Sequence, residues 1–320
     1  MAKACWNAIA GWVVCALGVL ASLYFLVPSA VAQEAGRAQQ PTVKQIAPDL
    51  YFFFDYSGSN AVFLVTEEGV LLIDTRQHPR QGEELLGLIR KVTDKPIKWV
   101  INSHFHGDHN FGNLPFKAAG ATFIAHQETA RILPKVFPKE MARRQEFFKS
   151  HGYDPAEVKL VPPDVTFEHD LTIRLGGREV KLFYLGPGQQ PGDTFVMFPH
   201  ARMLFTPGAF GKHSMPNMAF TTSVENWIKM LNDVAGMDYA NILPAHGDVA
   251  VSADVKELAA MLSDEYATVK AAVDKGVSVD EAEKTLTFPQ YKDWRNYGRL
   301  KGEIKAMYEL IQTGKRSYFE

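Results

Sequence analysis

The string His104-Phe105-His106-Gly107-Asp108-His109 constrains this chain more than any other stretch. It directly follows Ile97-Lys98-Trp99-Val100-Ile101-Asn102, a run of strand-forming residues. Three imidazoles and a carboxylate therefore sit in a loop at a strand end, where a sheet can gather side chains. Gly107 lets the chain turn sharply between them. The chain has 10 histidines in 320 residues, so three in one hexapeptide beside an aspartate read as a ligand cluster rather than chance spacing. A fold that uses the cluster must bring further donors to the same strand end.

The rest of the chain supplies such ends. Strand-like runs at 50–54, 61–65 and 70–74 are separated by turns at Ser57-Gly58-Ser59-Asn60 and Thr66 to Gly69. Leu85, Leu86, Ile89 and Val92 have helical spacing within 80–93, and Thr122 to Ala125 reads as another strand. A helical insertion over about 127–151 carries the mixed charges Lys139, Glu140, Arg143, Arg144 and Glu146. Strands are expected at 171–175, 180–185, 194–198, 203–206 and 241–244. Thr222 and Glu225 match a capping box for a helix whose buried face is Trp227, Met230, Leu231 and Val234. Helices are expected over about 253–275 and 295–313. Strands grouped with helices after them imply a layered α/β sandwich.

With these runs in place, the sequence resembles the metallo-β-lactamase superfamily over about 43–251. Three strings carry the resemblance, in order: Val70 to Thr75 with Asp74, the His-x-His-x-Asp-His loop, and Leu243-Pro244-Ala245-His246-Gly247. The resemblance implies a four-layer αββα sandwich over 42–252, followed by a C-terminal helical extension at 253–320. It makes Asp74 a support for a histidine or the loop rather than a ligand.

Two departures from the family pattern alter the expected chemistry. Gln189, in Gly186-Pro187-Gly188-Gln189, stands where the pattern has a histidine, and Gly208 stands where it has an aspartate bridging two metals. Without that carboxylate, two neighbouring dications lose a main source of neutralisation. Asp108, His109 and His246 remain as a three-ligand set with room for water, the composition of a catalytic zinc site. One Zn²⁺ per chain is expected there, with its bound water brought to a pKa of about 7 as a hydroxide nucleophile. His106 is then free to act as a base or orient water, and His104 to position substrate or support His106. A weaker resemblance to the chlorothalonil-type hydrolytic dehalogenases makes haloaromatic hydrolysis an alternative. The two replacements also motivate a third reading, a non-catalytic metal- or ligand-binding relative.

Other residues are assigned by neighbourhood. The loop Phe210 to Thr222 offers His213, Met215, Asn217, Met218 and Phe220 as pocket-lining candidates, with Asn217 a neutral substitute for the missing carboxylate. Gln189 and Trp227 are further substrate-side candidates, although the helical spacing of Trp227 also packs it on the sheet. Asp193 is expected to pin the Gly-rich turn. His126 reads as structural, and His78, His151, His169 and His200 as scattered surface or loop histidines. The C-terminal helices are candidates for a homodimer surface or a lid.

At the N-terminus, Lys3 precedes the apolar run Trp6 to Val27, and Ala30-Val31-Ala32 fits a signal-peptidase site. Residues 1–32 are read as a signal peptide and 33–41 as a flexible leader, with a retained anchor as the alternative. Both cysteines, Cys5 and Cys15, fall in that segment, so the mature chain must hold any metal with histidine and carboxylate. The expected location is periplasmic or secreted, without stable membrane insertion after cleavage. A formal net charge of −2 gives no bulk attraction to nucleic acid. The sequence therefore reads as an exported metal-dependent hydrolase of a small organic substrate, uncharged or weakly anionic.

Overall fold

Strands form where β-branched and aromatic side chains alternate between two buried faces. The computed structural model describes residues 41–55 and 58–315. The expected signal peptide, and the leader apart from Pro41, lie outside the described residues.

Seven strands make the first sheet, in the order β1 (Thr42–Ala47), β2 (Leu50–Phe54), β3 (Ala61–Thr66), β4 (Gly69–Ile73), β5 (Ile97–Ile101), β6 (Thr122–His126) and β7 (Val165–Phe167). The first four pair antiparallel, and β4 through β7 pair parallel. The second sheet runs β12 (Asn241–Pro244), β11 (Met203–Thr206), β10 (Phe195–Phe198), β9 (Arg178–Phe183) and β8 (Asp170–Leu175), with β11 and β12 parallel. The β1 and β7 strands had no separate signal in the sequence. Both are edge strands: β1 has no fully buried residue and β7 buries only Phe167.

Period-two alternation sorts the side chains into layers. Val62, Leu64, Leu71 and Ile73 face Val180, Leu182, Val196 and Phe205 in the core between the sheets. Phe63, Leu72 and Phe123 point the other way, onto Leu85 and Ile89 of helix α1 (Pro79–Arg90). On the outer face of the second sheet, Phe195, Leu204 and Ile242 pack with Trp227, Leu231, Leu258, Leu262 and Ile304. The result is the expected four-layer αββα sandwich.

The remaining helices are α2 (Gly107–Asn110), α3 (Asn113–Ala118), α4 (Gln127–Arg143), α5 (Gln145–His151), α6 (Val224–Ala235), α7 (Ser252–Asp274), α8 (Val279–Thr285) and α9 (Leu300–Thr313). The C-terminal helices share one apolar core with α6 and the second sheet, so no packing boundary falls at residue 252. The cap of α6 differs from the expected one: Ser223 Oγ accepts from Asn226 N, and Glu225 accepts from Tyr266 Oη. His78 is another correction. It is buried, caps α1 through Nδ1 and stacks on Tyr153. Buried His126 caps α4 in the same way, a structural role as expected.

Parallel pairing decides where the loops go. The loops after β4, β5, β11 and β12 carry Asp74, the histidine motif, Gly208 and His246, all at strand C-terminal ends. Asn60 ties the two sheets together there, donating from N to Ala245 O and from Nδ2 to the carbonyls of Pro244 and Gly247. Backbones also meet closely: a Cβ on Gly112 would lie 1.9 Å from Thr75 O, so only glycine fits.

Candidate metal centre

Asp74 organises the loop that follows β5. It sits at φ 63°, the left-handed region that a non-glycine residue enters at a cost. Its carboxylate accepts from Ser103 N at 2.8 Å, Ser103 Oγ at 2.7 Å and His109 Nδ1 at 2.8 Å. Those three bonds hold Asp74 in place and fix the His109 tautomer, leaving Nε2 as the free donor atom. His246 is set the same way, with Nδ1 donating to Gly58 O at 3.0 Å.

The two Nε2 atoms and Asp108 Oδ2 converge. His109 Nε2 lies 3.0 Å from His246 Nε2 and 3.4 Å from Asp108 Oδ2, and His246 Nε2 lies 3.2 Å from the same oxygen. A tetrahedral zinc with bonds of about 2.0–2.1 Å has ligand–ligand edges of about 3.3 Å. The triangle matches one face of that tetrahedron, so the three side chains fit the ion. The other oxygen, Asp108 Oδ1, pairs with Arg144, which also donates to Gln77 Oε1. Buried Glu140 holds the motif from behind, accepting from Gly107 N at 3.0 Å and from Arg143 at 2.6 Å.

Opposed charges meet closely at this centre. Burial alone would lower the His109 pKa, but the Asp108 and Asp74 carboxylates outweigh it and raise it to about 9. Burial would raise Asp108, yet Arg144 and His109 bring it well below the usual carboxylate range. His104 and His106 behave oppositely: burial, and for His104 the neighbouring His109, hold both well below the usual imidazole value.

His104, His106 and Gln189 form the adjoining half of the site. His104 Nδ1 meets Ser103 Oγ at 2.8 Å, while its Nε2 is buried without a hydrogen-bond partner. His106 Nε2 and Gln189 Oε1 are buried and unpartnered too. A Cβ on Gly208 would lie 2.5 Å from Gln189 Oε1 and 3.4 Å from His104 Nε2. The two departures are thus neighbours: the amide of Gln189 projects into space that a side chain at 208 would need.

In front of this centre lies a cavity of about 420 Å³, lined by His106, Asp108, Gln189, Gly208, Trp227 and His246 among others. His104 is fully buried and does not line it; of its two expected roles, contact with substrate and support of His106, the burial disfavours the first, and its ring lies 4.8 Å from that of His106. His213 is also corrected: its exposed ring bonds Glu257 at 2.9 Å instead of facing the cavity. Asn217 borders the cavity, but its Oδ1 accepts from Ala219 N and caps a short turn rather than replacing the missing carboxylate. Trp227 closes the floor as a core residue, with Nε1 donating to Ala209 O at 2.8 Å. Asp193 pins its turn, accepting from Gln190 N and Nε2, and burial raises its pKa to about 7.

Sequence reasoning named Glu140, Arg143 and Arg144 only as charges of the insertion. It missed Arg295 and Arg299, which line the cavity from the C-terminal segment.

Comparison with known proteins places this arrangement. A family model described as the Metallo-beta-lactamase superfamily matches residues 55–246. The chain is 24% identical over 293 residues to a linear primary-alkylsulfatase of Pseudomonas sp. (strain ATCC 19151), covering 79% of this chain and 55% of the relative. It is 23% identical over 232 residues to a metallo-beta-lactamase of Chryseobacterium indologenes, covering 70% of this chain and 87% of the relative. Among solved structures, a stereoselective inverting sec-alkylsulfatase from Pseudomonas sp. superposes with a TM-score of 0.70 at 18% identity, over 87% of this chain and 51% of that one. The chain thus spans about half the length of the alkylsulfatases it matches. The matched segment runs from the start of the Asp55 turn to His246, taking in every donor of the triangle, and the chain belongs to the metallo-β-lactamase superfamily.

Proposed function

We propose that this chain is an exported, metal-dependent hydrolase of a small organic molecule, working with one zinc ion held by Asp108, His109 and His246. The observation that carries the reading is the donor triangle with edges of 3.0, 3.2 and 3.4 Å, its two imidazole tautomers already fixed. Hydrolytic relatives and the family match support it. When bound, the ion supplies Lewis acidity and acidifies water.

The chain's own residues do the rest. Arg144 holds Asp108 Oδ1 and leaves Oδ2 to face the centre. Asp74 fixes His109 and spans Ser103 to His104. His106 presents a buried Nε2 beside the cavity, without a partner among the described residues, where it can hydrogen-bond a water or the substrate. The neutral Gln189 favours a single ion, because an amide oxygen brings no charge to offset a second dication.

The test is metal titration of the purified, chelator-stripped chain. It is read by bound zinc and by hydrolysis across esters, sulfate esters, lactones, β-lactams and haloaromatics. Full activity should return at one equivalent. Two tightly bound zinc ions per chain would overturn the single-metal centre, and undiminished turnover by His109→Ala would overturn the metal-hydrolase reading altogether.

A further inference from the structure

Before helix α9 the chain borders the cavity through Arg295, Asn296 and Arg299. Arg295 N donates to His213 O and Met215 N donates to Arg295 O, both at 2.8 Å, so this strap is laced to the loop after β11. Asn296 turns in the left-handed region at φ 62° and donates from Nδ2 to Ser214 Oγ at 3.0 Å. Arg299 Nη1 donates to Met215 O at 3.3 Å. Arg295 and Arg299 line the cavity together with His106, Asp108 and His246. Arg295 Nη1 lies only 3.4 Å from the Cβ position of Gly247, next in sequence to His246.

Charge balance follows from the lining residues. Arg143, Arg144, Lys212, Arg295 and Arg299 border the cavity, against Asp108 as the one lining carboxylate among the described residues. Ion pairs join Arg143 to Glu140, Arg144 to Asp108 and Lys212 to Asp254. The strap arginines add to this positive field, and a bound dication strengthens it. Arg299 feels the crowding, since burial first, then Arg143 and Arg295, lower its pKa against Glu303 and Asp108. Gathering like charges in a concave wall is unfavourable unless an anion enters it. Beside them, Phe147, Phe210, Met215 and Leu258 provide apolar wall for an organic body.

We propose that Arg295 and Arg299 form a substrate-binding clamp for an oxyanion, making the cavity selective for organic anions rather than uncharged molecules. Guanidinium groups suit this because their planar donor forks match two oxygens at once. The clamp lies beyond residue 246, where the family match ends, so it is supplied by this chain's C-terminal segment. The inference deepens the hydrolase reading but is tested by binding, so the two can fail separately.

The experiment titrates zinc-loaded full chain with sodium sulfate or sodium acetate against sodium chloride at constant ionic strength, following heat of binding and thermal midpoint. At least one oxyanion should bind saturably, sulfate marking a tetrahedral group and acetate a planar one. Arg295→Gln and Arg299→Gln should each weaken that binding about tenfold, the loss expected for one charge-assisted hydrogen bond. Lysine at either position should recover part of it, and Lys270→Gln on the exposed face of α7 should leave it unchanged. Arg295→Gln carries the test if Arg299→Gln also loses its brace to Met215 and fails to fold. No saturable binding of either oxyanion, or equal affinity in folded Arg295→Gln and wild type, overturns the clamp. Arginine-dependent binding without any turnover leaves the clamp standing and removes the hydrolase.

Discussion

The two halves of the site differ in how their buried polar atoms are treated. Around Asp108, His109 and His246 both rings have an outer partner and two carboxylates lie close by. Around His104, His106 and Gln189, three buried atoms have no hydrogen-bond partner, and no carboxylate bridges them, among the described residues. The first arrangement is prepared for a cation, with tautomers fixed before it arrives. The second offers only neutral acceptors, suited to water or a substrate donor. On the proposed single-metal reading, the site keeps the superfamily outline while dividing ion-holding and hydrogen-bonding work between neighbouring pockets.

Breaking the first half should have the largest effect. His109→Ala or Asp108→Asn removes a donor from the triangle, and the ion's share of transition-state stabilisation amounts to several kcal/mol. A loss of about 4 kcal/mol corresponds to a rate drop on the order of 10³-fold. Bound zinc measured alongside kcat should fall in step. A variant that lost activity while keeping its metal would show that the triangle is not where the ion sits.

Converting the second half into the first sharpens the contrast further. Gly208→Asp alone should destabilise the fold, because its Cβ would lie 2.5 Å from Gln189 Oε1. Pairing it with Gln189→His removes that obstacle and supplies an imidazole and a carboxylate beside His104 and His106. The double variant should bind about two zinc ions per chain, counted by metal analysis. A stoichiometry still at one would mean that something besides these two residues excludes the second ion.

A smaller effect comes from the outer support. Asp74→Asn keeps the shape but weakens the hold on His109 Nδ1–H and both Ser103 bonds. Loss of such a partner typically lowers metal affinity 10–100-fold, measurable by competition with a chromophoric chelator. The equivalent change is not available at His246, whose partner is the backbone carbonyl of Gly58. The two ligands should therefore respond differently to side-chain substitution around them.

What could be read from the sequence follows the range of the physics involved. The hexapeptide, the Asp74 strand end and His246 were legible because each is a local string at the end of an apolar run. Gln189 and Gly208 were legible as departures, but not that their atoms compete for one space. That contact joins the β9–β10 loop to the loop after β11. The role of Arg144 was invisible because its partner Asp108 lies 36 positions earlier, across α3, β6 and α4, with no periodic signal linking them. Arg295 and Arg299 were missed for the same reason: the expected helix over 295–313 begins only at Leu300, and the strap before it is set by bonds to a distant loop. His213 and His78 were misassigned because a histidine's neighbours in sequence do not reveal which way its ring turns.

The same question of partnered and unpartnered buried polar groups recurs in the C-terminal helices, where the effect should be smallest. Glu265 of α7 and Glu303 of α9 are buried and face each other, and no other described group bonds their carboxyl oxygens. Burial, then the partner carboxyl in the case of Glu303, pushes both well above the usual carboxylate range, Glu265 to about 8. Arg299 opposes this at Glu303 without reversing it. A folded-state pKa above the unfolded value means that the native state binds more protons between the two. The pair's contribution is therefore fully present below about pH 4.5, the ordinary glutamate value, and is lost as pH rises through about 8 for Glu265 and about 10 for Glu303. Glu265→Gln removes one titrating group while keeping a polar side chain of similar size. Relative to wild type, its thermal midpoint should improve between pH 5 and pH 9, by a few degrees on the scale of about 2–4 °C per kcal/mol for a domain of this class. A pH dependence identical to wild type would mean that these carboxyls are charged in the folded chain. Burial would then be tolerated here without the cationic partners that Asp108 requires.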